Sequence, residues 1–152
     1  MTLSWPIAGA SRSTLNVKDK PGEGDGHFGT PRSRGKHSGI DIQAESGTEV
    51  LAAGDGVIVA VQPNPSTTYG TQVAIEHEKD KLYTVYCHLQ AASPVFATGA
   101  TVTTGQVIAL VGRTGNTPRQ GDSHLHFEVR LNSALPRTAG GMVADPLDYL
   151  PA

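Results

Sequence analysis

The chain has very little cysteine: Cys87 alone among 152 residues. No disulfide can form within it, so a small scaffold held by cross-links is excluded, and compartment cannot be read from thiols. Aromatic residues are scarce at 5%, and charge is balanced, with 12 basic residues against 14 acidic ones and a net charge of −2. No basic run and no stripe of aromatic and basic residues occurs, which argues against a nucleic-acid-binding surface. Long apolar runs are missing as well. No run exceeds that of Val57 to Val61, which falls far short of the roughly 20 residues a membrane-spanning helix needs, so no membrane insertion is expected. Met1 to Ala10 carries no basic side chain, and Pro6 interrupts its apolar stretch. It does not read as a secretory signal, which predicts either a mature form or export by another route. Convincing helical periodicity is also lacking, apart from turns at Ser46–Val50 or Leu147–Leu150.

What the chain has is glycine and proline, 18 and 10 residues, punctuating short β-branched runs. Its length suffices for one domain with a real core. The reading is a mostly β, single-domain antiparallel sheet. Strands are predicted at Gly39–Gln43, Glu49–Ala52, Gly56–Val61, Thr71–Glu78, Lys81–Leu89, Gln106–Val111 and His124–Leu131. Gly47-Thr48-Glu49-Val50 echoes Gly99-Ala100-Thr101-Val102, each followed by a turn and a β-rich run, as two hairpins would be. Two segments, Ser11–Arg34 and Gly112–Ser123, read as surface loops. Each leads into a histidine pattern, so both are candidate walls of a cleft.

Histidines carry the chemistry. Four of the six fall in His37-Ser38-Gly39-Ile40-Asp41, Tyr86-Cys87-His88-Leu89 and His124-Leu125-His126-Phe127. A lone His–Asp pair is more often a surface hydrogen bond than a metal pair, and a lone His-x-His occurs in many folds; their joint occurrence carries the weight. Side chains at i and i+2 of a strand share a face. On the last strand His124, His126, Glu128 and Arg130 therefore point one way and Leu125, Phe127, Val129 and Leu131 the other. The same parity puts Thr84, Tyr86 and His88 together and sends Val85, Cys87 and Leu89 to an apolar core face. Cys87 is then a small buried hydrophobe rather than a ligand. His37, Gly39 and Asp41 align, with Ile40 and Ile42 opposite, and the bare Gly39 leaves room for a metal or a substrate backbone. His27 has no partner spacing, and His77 reads as structural or as an outer neighbour of the site.

Taken in order, these patterns resemble the LytM/lysostaphin-type zinc metallopeptidases, peptidase family M23. The matching stretches are Lys36 to Ile42, Gly47 to Val57, Thr84 to Leu89, Gly105 to Gly112 and His124 to Arg130, with Asp145 to Leu150 also in keeping. The resemblance spans about Phe28 to Leu150. It divides residues 1–152 into a loop-rich segment, 1–27, and a catalytic core, 28–150. The fold it implies is duplicated-hybrid-motif-like, with a groove floored by the sheet and walled by loops. It implies one zinc ion per chain, held by His37, Asp41 and His126, with His88 and His124 as catalytic residues. Which of these two is the general base stays open. Arg32, Tyr86 and Asn116 are expected on the substrate side. The arginine is displaced by one residue in Phe28-Gly29-Thr30-Pro31-Arg32, and a tyrosine found in some relatives has no match before His37.

The resemblance further implies a hydrolase of peptidoglycan acting in the periplasm or cell wall. Relatives divide between glycine bridges and bonds from D-alanine to the side chain of a diamino acid; the D-alanyl-diaminopimelate bond is favoured. The expected setting is a phage lysin or secreted antibacterial effector, with an immunity or inhibitor protein as the partner that blocks the groove. Two other classes compete with this reading. A non-catalytic LytM-like regulator of a cell-wall amidase usually lacks a zinc ligand that this chain keeps. A biotinyl or lipoyl carrier needs a lysine where this chain has Gly54-Asp55-Gly56.

Overall fold

The computed structural model describes residues 1–15, 26–32, 35–62, 68–115, 117 and 123–152. Its strands are β1 (Pro31–Arg32), β2 (Gly35–Lys36), β3 (Ile40–Gln43), β4 (Glu49–Leu51), β5 (Gly56–Gln62), β6 (Thr71–Glu78), β7 (Leu82–Leu89), β8 (Thr101–Val102), β9 (Val107–Leu110), β10 (His124–Leu131) and β11 (Met142–Ala144). The principal sheet runs β11-β10-β7-β6-β5-β8, and β3 also pairs with β10. All its pairings are antiparallel. This is the mostly β, antiparallel architecture expected. The short strands β1, β2, β8 and β11 were not expected, because two or three residues are too few to display alternation.

Two strands dominate the centre. Every residue of β7, Leu-Tyr-Thr-Val-Tyr-Cys-His-Leu, is buried, as is all of β10 up to Arg130. Both faces of the sheet are therefore covered at this point. On one face Ile40, Ile42, Tyr86, Leu125, Phe127 and Val129 join a core cluster that reaches from Leu3 to Leu150. Each large apolar side chain removed from water there contributes on the order of 1.5–3 kcal/mol before entropy is counted. The other face carries a smaller cluster of Ala74, Val85 and Cys87, with Tyr69 packed on it.

The echoed segments do not form separate hairpins. β4 pairs with β9 in a two-stranded sheet of its own, while β5 pairs with β8. Each strand thus takes its partner from the other echo. The exchange lets Val50, Ala52, Ala53, Ile58, Val102, Ile108 and Ala109 share the main core, where isolated hairpins would each leave one face in water. Asp55 ties the two turns together, accepting from the backbone N–H of Thr104 at 2.8 Å and its hydroxyl at 3.0 Å.

Parity on β7 also departs from expectation. Tyr86 lies opposite Phe127 and Cys87 opposite His126, so Tyr86 faces the main core and Cys87 the histidine face. His88 joins Cys87's side only because its backbone turns over, with φ at +61°. Its N–H bonds to the Tyr69 carbonyl and its carbonyl accepts from Gly112 N–H, while the β6–β7 register slips between Thr71 and Val73. Histidine is among the few side chains enriched in this left-handed region, and a strained backbone of this kind persists where its surroundings fix it. Cys87 is buried as expected, on the face not expected.

Candidate metal centre

His37 stands just ahead of β3. Its Nδ1 lies 2.9 Å from the His27 carbonyl oxygen, which can only accept, so Nδ1 donates there and Nε2 is the nitrogen turned to the site. Asp41, on β3, lies directly opposite His126 in the β3–β10 register, and its N–H is held by the Gly26 carbonyl. Asp41 Oδ1 is 3.1 Å from His37 Nε2 and 2.8 Å from His126 Nδ1, and the two ring nitrogens are 3.2 Å apart. These three ligating atoms all lie within 4.8 Å of one another. Gly39 has another use than the one expected. A Cβ there would come to 2.3 Å from the Phe127 carbonyl oxygen, so its missing side chain admits the β10 backbone rather than a ligand.

Burial opposes the charge on Asp41, yet hydrogen bonds from His126 and His37, with the charges of His126 and His124, outweigh it and hold the carboxyl well below its usual range. Burial likewise opposes a charged His126. Its contacts with Asp41 and Glu128 prevail and hold the imidazole up at about 9. The centre therefore keeps a proton among its donors at neutral pH. Two imidazole nitrogens and a carboxylate oxygen, converging around one displaceable proton, fit a divalent cation.

Beside this trio stand the other two histidines. The His88 Nδ1 lies 2.8 Å from the Thr114 carbonyl, leaving Nε2 as the acceptor. Burial, aided by the charges of His126 and His124, pushes His88 down to about 3. Its ring meets that of His124 edge to face at 5.3 Å and that of His126 at 6.0 Å. His124 Nε2 is 3.7 Å from Asp41 Oδ1. Imidazoles beside a trio that could hold a cation are placed to exchange protons there.

A model of the family described as Peptidase family M23 matches residues 35–136, which include all five of these residues. The chain belongs to peptidase family M23. It is 43% identical over 96 residues to the DD-carboxypeptidase/endopeptidase Mpg of Neisseria meningitidis, a match covering 63% of this chain and 20% of the relative. It thus spans about a fifth of that protein's length. Among solved structures, the catalytic domain of lysostaphin from Staphylococcus simulans superposes with a TM-score of 0.68 at 28% identity, covering 82% of this chain and 87% of that one. A zinc-containing peptidase from Vibrio cholerae gives 0.63 at 30%, covering 90% and 41%.

Other expected site residues of this M23 chain are placed as follows. Arg32 Nη2 comes to 3.6 Å from Asp41 Oδ2, so it stands at the edge of the centre. Tyr86 does not: it is fully buried, ring against Phe127, with its hydroxyl accepting from Ala53 N–H at 2.9 Å and 2.8 Å from the Thr84 hydroxyl. Asn116 lies outside the described residues. His77 is structural, with Nδ1 on the Asp55 carbonyl and Nε2 on Thr84. His27 contributes its carbonyl, a main-chain role no side-chain pattern announces.

Sequence motifs do not mark Glu128, Ser38 or Tyr69 as parts of the site. Glu128 bonds His126 Nε2 at 2.8 Å, and Tyr69 stacks 5.9 Å from the His126 ring and under the Arg130 guanidinium. Parity had put Glu128 on the right face, which was the available signal. Further along that face a cavity of about 410 Å³ opens over Ala60, Ala74, Gln62 and Gln72, bounded by Arg130 and Leu135.

Proposed function

We propose that this chain is the catalytic domain of a zinc-dependent endopeptidase that hydrolyses peptide bonds of bacterial peptidoglycan in the periplasm or cell wall, with residues 28–150 as its catalytic core. The observation that carries the reading is the convergence of His37 Nε2, Asp41 Oδ1 and His126 Nδ1 with the His88–His124 pair alongside. Two imidazoles and a carboxylate, with no fourth His, Cys, Asp or Glu donor grouped with them among the described residues, form a donor set used by catalytic zinc.

Zinc, when bound, supplies a Lewis acid that polarises the scissile carbonyl and acidifies water. The protein does the rest. His37, Asp41 and His126 hold the ion. His88, tied through Nδ1 to Thr114, presents Nε2 towards the centre. Between them His88 and His124 perform two tasks: one takes the proton of the attacking water and returns it to the leaving amine, and the other donates a hydrogen bond to the oxyanion of the tetrahedral intermediate. Arg32, beside Asp41, stands where a substrate carbonyl or carboxylate could be held.

The favoured bond joins D-alanine to the side chain of a diamino acid. Support comes from the 43% identity to a protein named a DD-carboxypeptidase/endopeptidase, against 28% to lysostaphin. The test is mass spectrometry of fragments released from diaminopimelate-type sacculi by zinc-loaded protein, with a chelated sample beside it. Chelator-sensitive conversion of cross-linked dimers to monomers is expected. No release by protein shown to hold zinc would favour a glycine-bridged substrate or a regulatory binder.

A further inference from the structure

We infer that Glu128 is a positioning residue of the metal centre: it fixes which nitrogen of His126 faces Asp41 and His37, and Ser38 and Arg130 hold it in place to do so. The inference rests on the metal-site reading above and extends it beyond the ligands.

Glu128 is wholly inaccessible, at 0% exposure. A buried carboxylate is costly unless its oxygens are satisfied, and here both are. Oε1 lies 2.8 Å from His126 Nε2 and accepts from the Ser38 hydroxyl at 2.6 Å, while Oε2 accepts from Arg130 Nε at 2.7 Å. A carboxylate so engaged can only accept, so Nε2 of His126 must carry its proton. That makes Nδ1, 2.8 Å from Asp41 Oδ1, the nitrogen whose proton a cation would displace and whose lone pair it would take. A carboxylate behind a ligating histidine also raises the ring's basicity and locks its orientation.

The device is built from two parts of the chain. Strand alternation sets His126, Glu128 and Arg130 in a row on one face of β10. Ser38 comes from beside the first candidate ligand, His37, so Glu128 joins the segments carrying the first and last of the trio. Tyr69 covers the assembly, its ring 5.9 Å from that of His126 and beneath the Arg130 guanidinium. A mere ion pair between Glu128 and Arg130 would need neither the His126 contact nor the Ser38 contact.

The test uses the full chain with zinc alone. Affinity is measured by competition with a chromophoric chelator for wild type, Glu128→Gln, Glu128→Ala and Ser38→Ala, with folding followed by circular dichroism. Histidine ¹⁵N shifts of the zinc-loaded proteins report the protonated nitrogen. Loss of an outer carboxylate typically weakens metal binding about 10- to 100-fold. Glu128→Ala is expected at the upper end and Glu128→Gln at the lower, because the amide oxygen still accepts from His126 while its NH₂ meets Arg130 donor to donor. Ser38→Ala touches no ligand and is expected to lose affinity by a few-fold, roughly one hydrogen bond's share. The His126 Nε2–H signal should weaken or broaden in Glu128→Ala. Folded variants that bind zinc within twofold of wild type, with unchanged His126 shifts, would overturn the inference alone. A wild type that takes up no zinc would overturn the metal-site reading and this inference with it.

Discussion

The rings of His88 and His124 meet edge to face, 5.3 Å between centroids, although one lies on a strand end with left-handed backbone and the other opens the following central strand. They flank the trio of His37, Asp41 and His126, and the proposed division between ligands and catalysts rests on that placement. His126→Ala is expected to lose both zinc retention and hydrolysis. His124→Ala should keep zinc and lose activity by about 10²–10⁴-fold, the usual weight of a proton-transfer group. Metal analysis alongside turnover on sacculi checks both. Loss of metal from His124→Ala would reverse the two roles.

Metal uptake should depend steeply on pH. The carboxylates of Asp41 and Glu128 outweigh burial and hold His126 at about 9, so at pH 7 the metal-free protein carries a proton that the ion must displace. Apparent zinc affinity should therefore rise about tenfold per pH unit from 6 to 8 and level off above about 9. Chelator competition across that range measures the slope, and proton release appears in calorimetry as a dependence on buffer ionisation heat. A flat profile would mean that His126 is already unprotonated.

Tyr86 belongs to the core and not to the substrate. Tyr86→Phe leaves the Ala53 N–H without its acceptor and should cost about 1–3 kcal/mol of stability. Zinc affinity and KM should stay as in wild type. Denaturant titration and steady-state kinetics separate the outcomes: a raised KM at unchanged stability would return Tyr86 to the substrate side.

Gly39→Ala probes the seam between β3 and β10. The added methyl would meet the Phe127 carbonyl oxygen at 2.3 Å and Glu128 Cγ at 2.9 Å, neither of which is a flexible chain end. Separating the strands to make room should cost about 3 kcal/mol, in the range of overpacked sites. It should weaken zinc binding too, because Asp41 rides on β3. A variant as stable as wild type would show that the seam can yield.

Much of this was legible beforehand, for identifiable reasons. β6 and β10 run where alternation put them, Thr71–Glu78 and His124–Leu131, since eight alternating residues give a clear signal. His37, Asp41 and His126, the donors implied by the resemblance to family M23, are brought together by the fold. β7 begins at Leu82, one residue after the predicted start, and its parity breaks at His88, because a single left-handed residue inverts the pattern and leaves no mark in composition. Tyr86 was drawn to the substrate side by the same slip.

By itself, the sequence determined which side chains share a face of β10 and which residue types are available to bind a cation, because strand parity and donor chemistry are local properties. The tertiary structure alone decided that β3 lies beside β10 with Asp41 opposite His126, that β4 and β5 exchange partners with β9 and β8, and that His88 turns back to the histidine face. It also decided that Ser38 and Arg130 close upon Glu128. Those outcomes depend on register and backbone contacts between residues far apart in the chain, where the burial of one strand sets the position of the next.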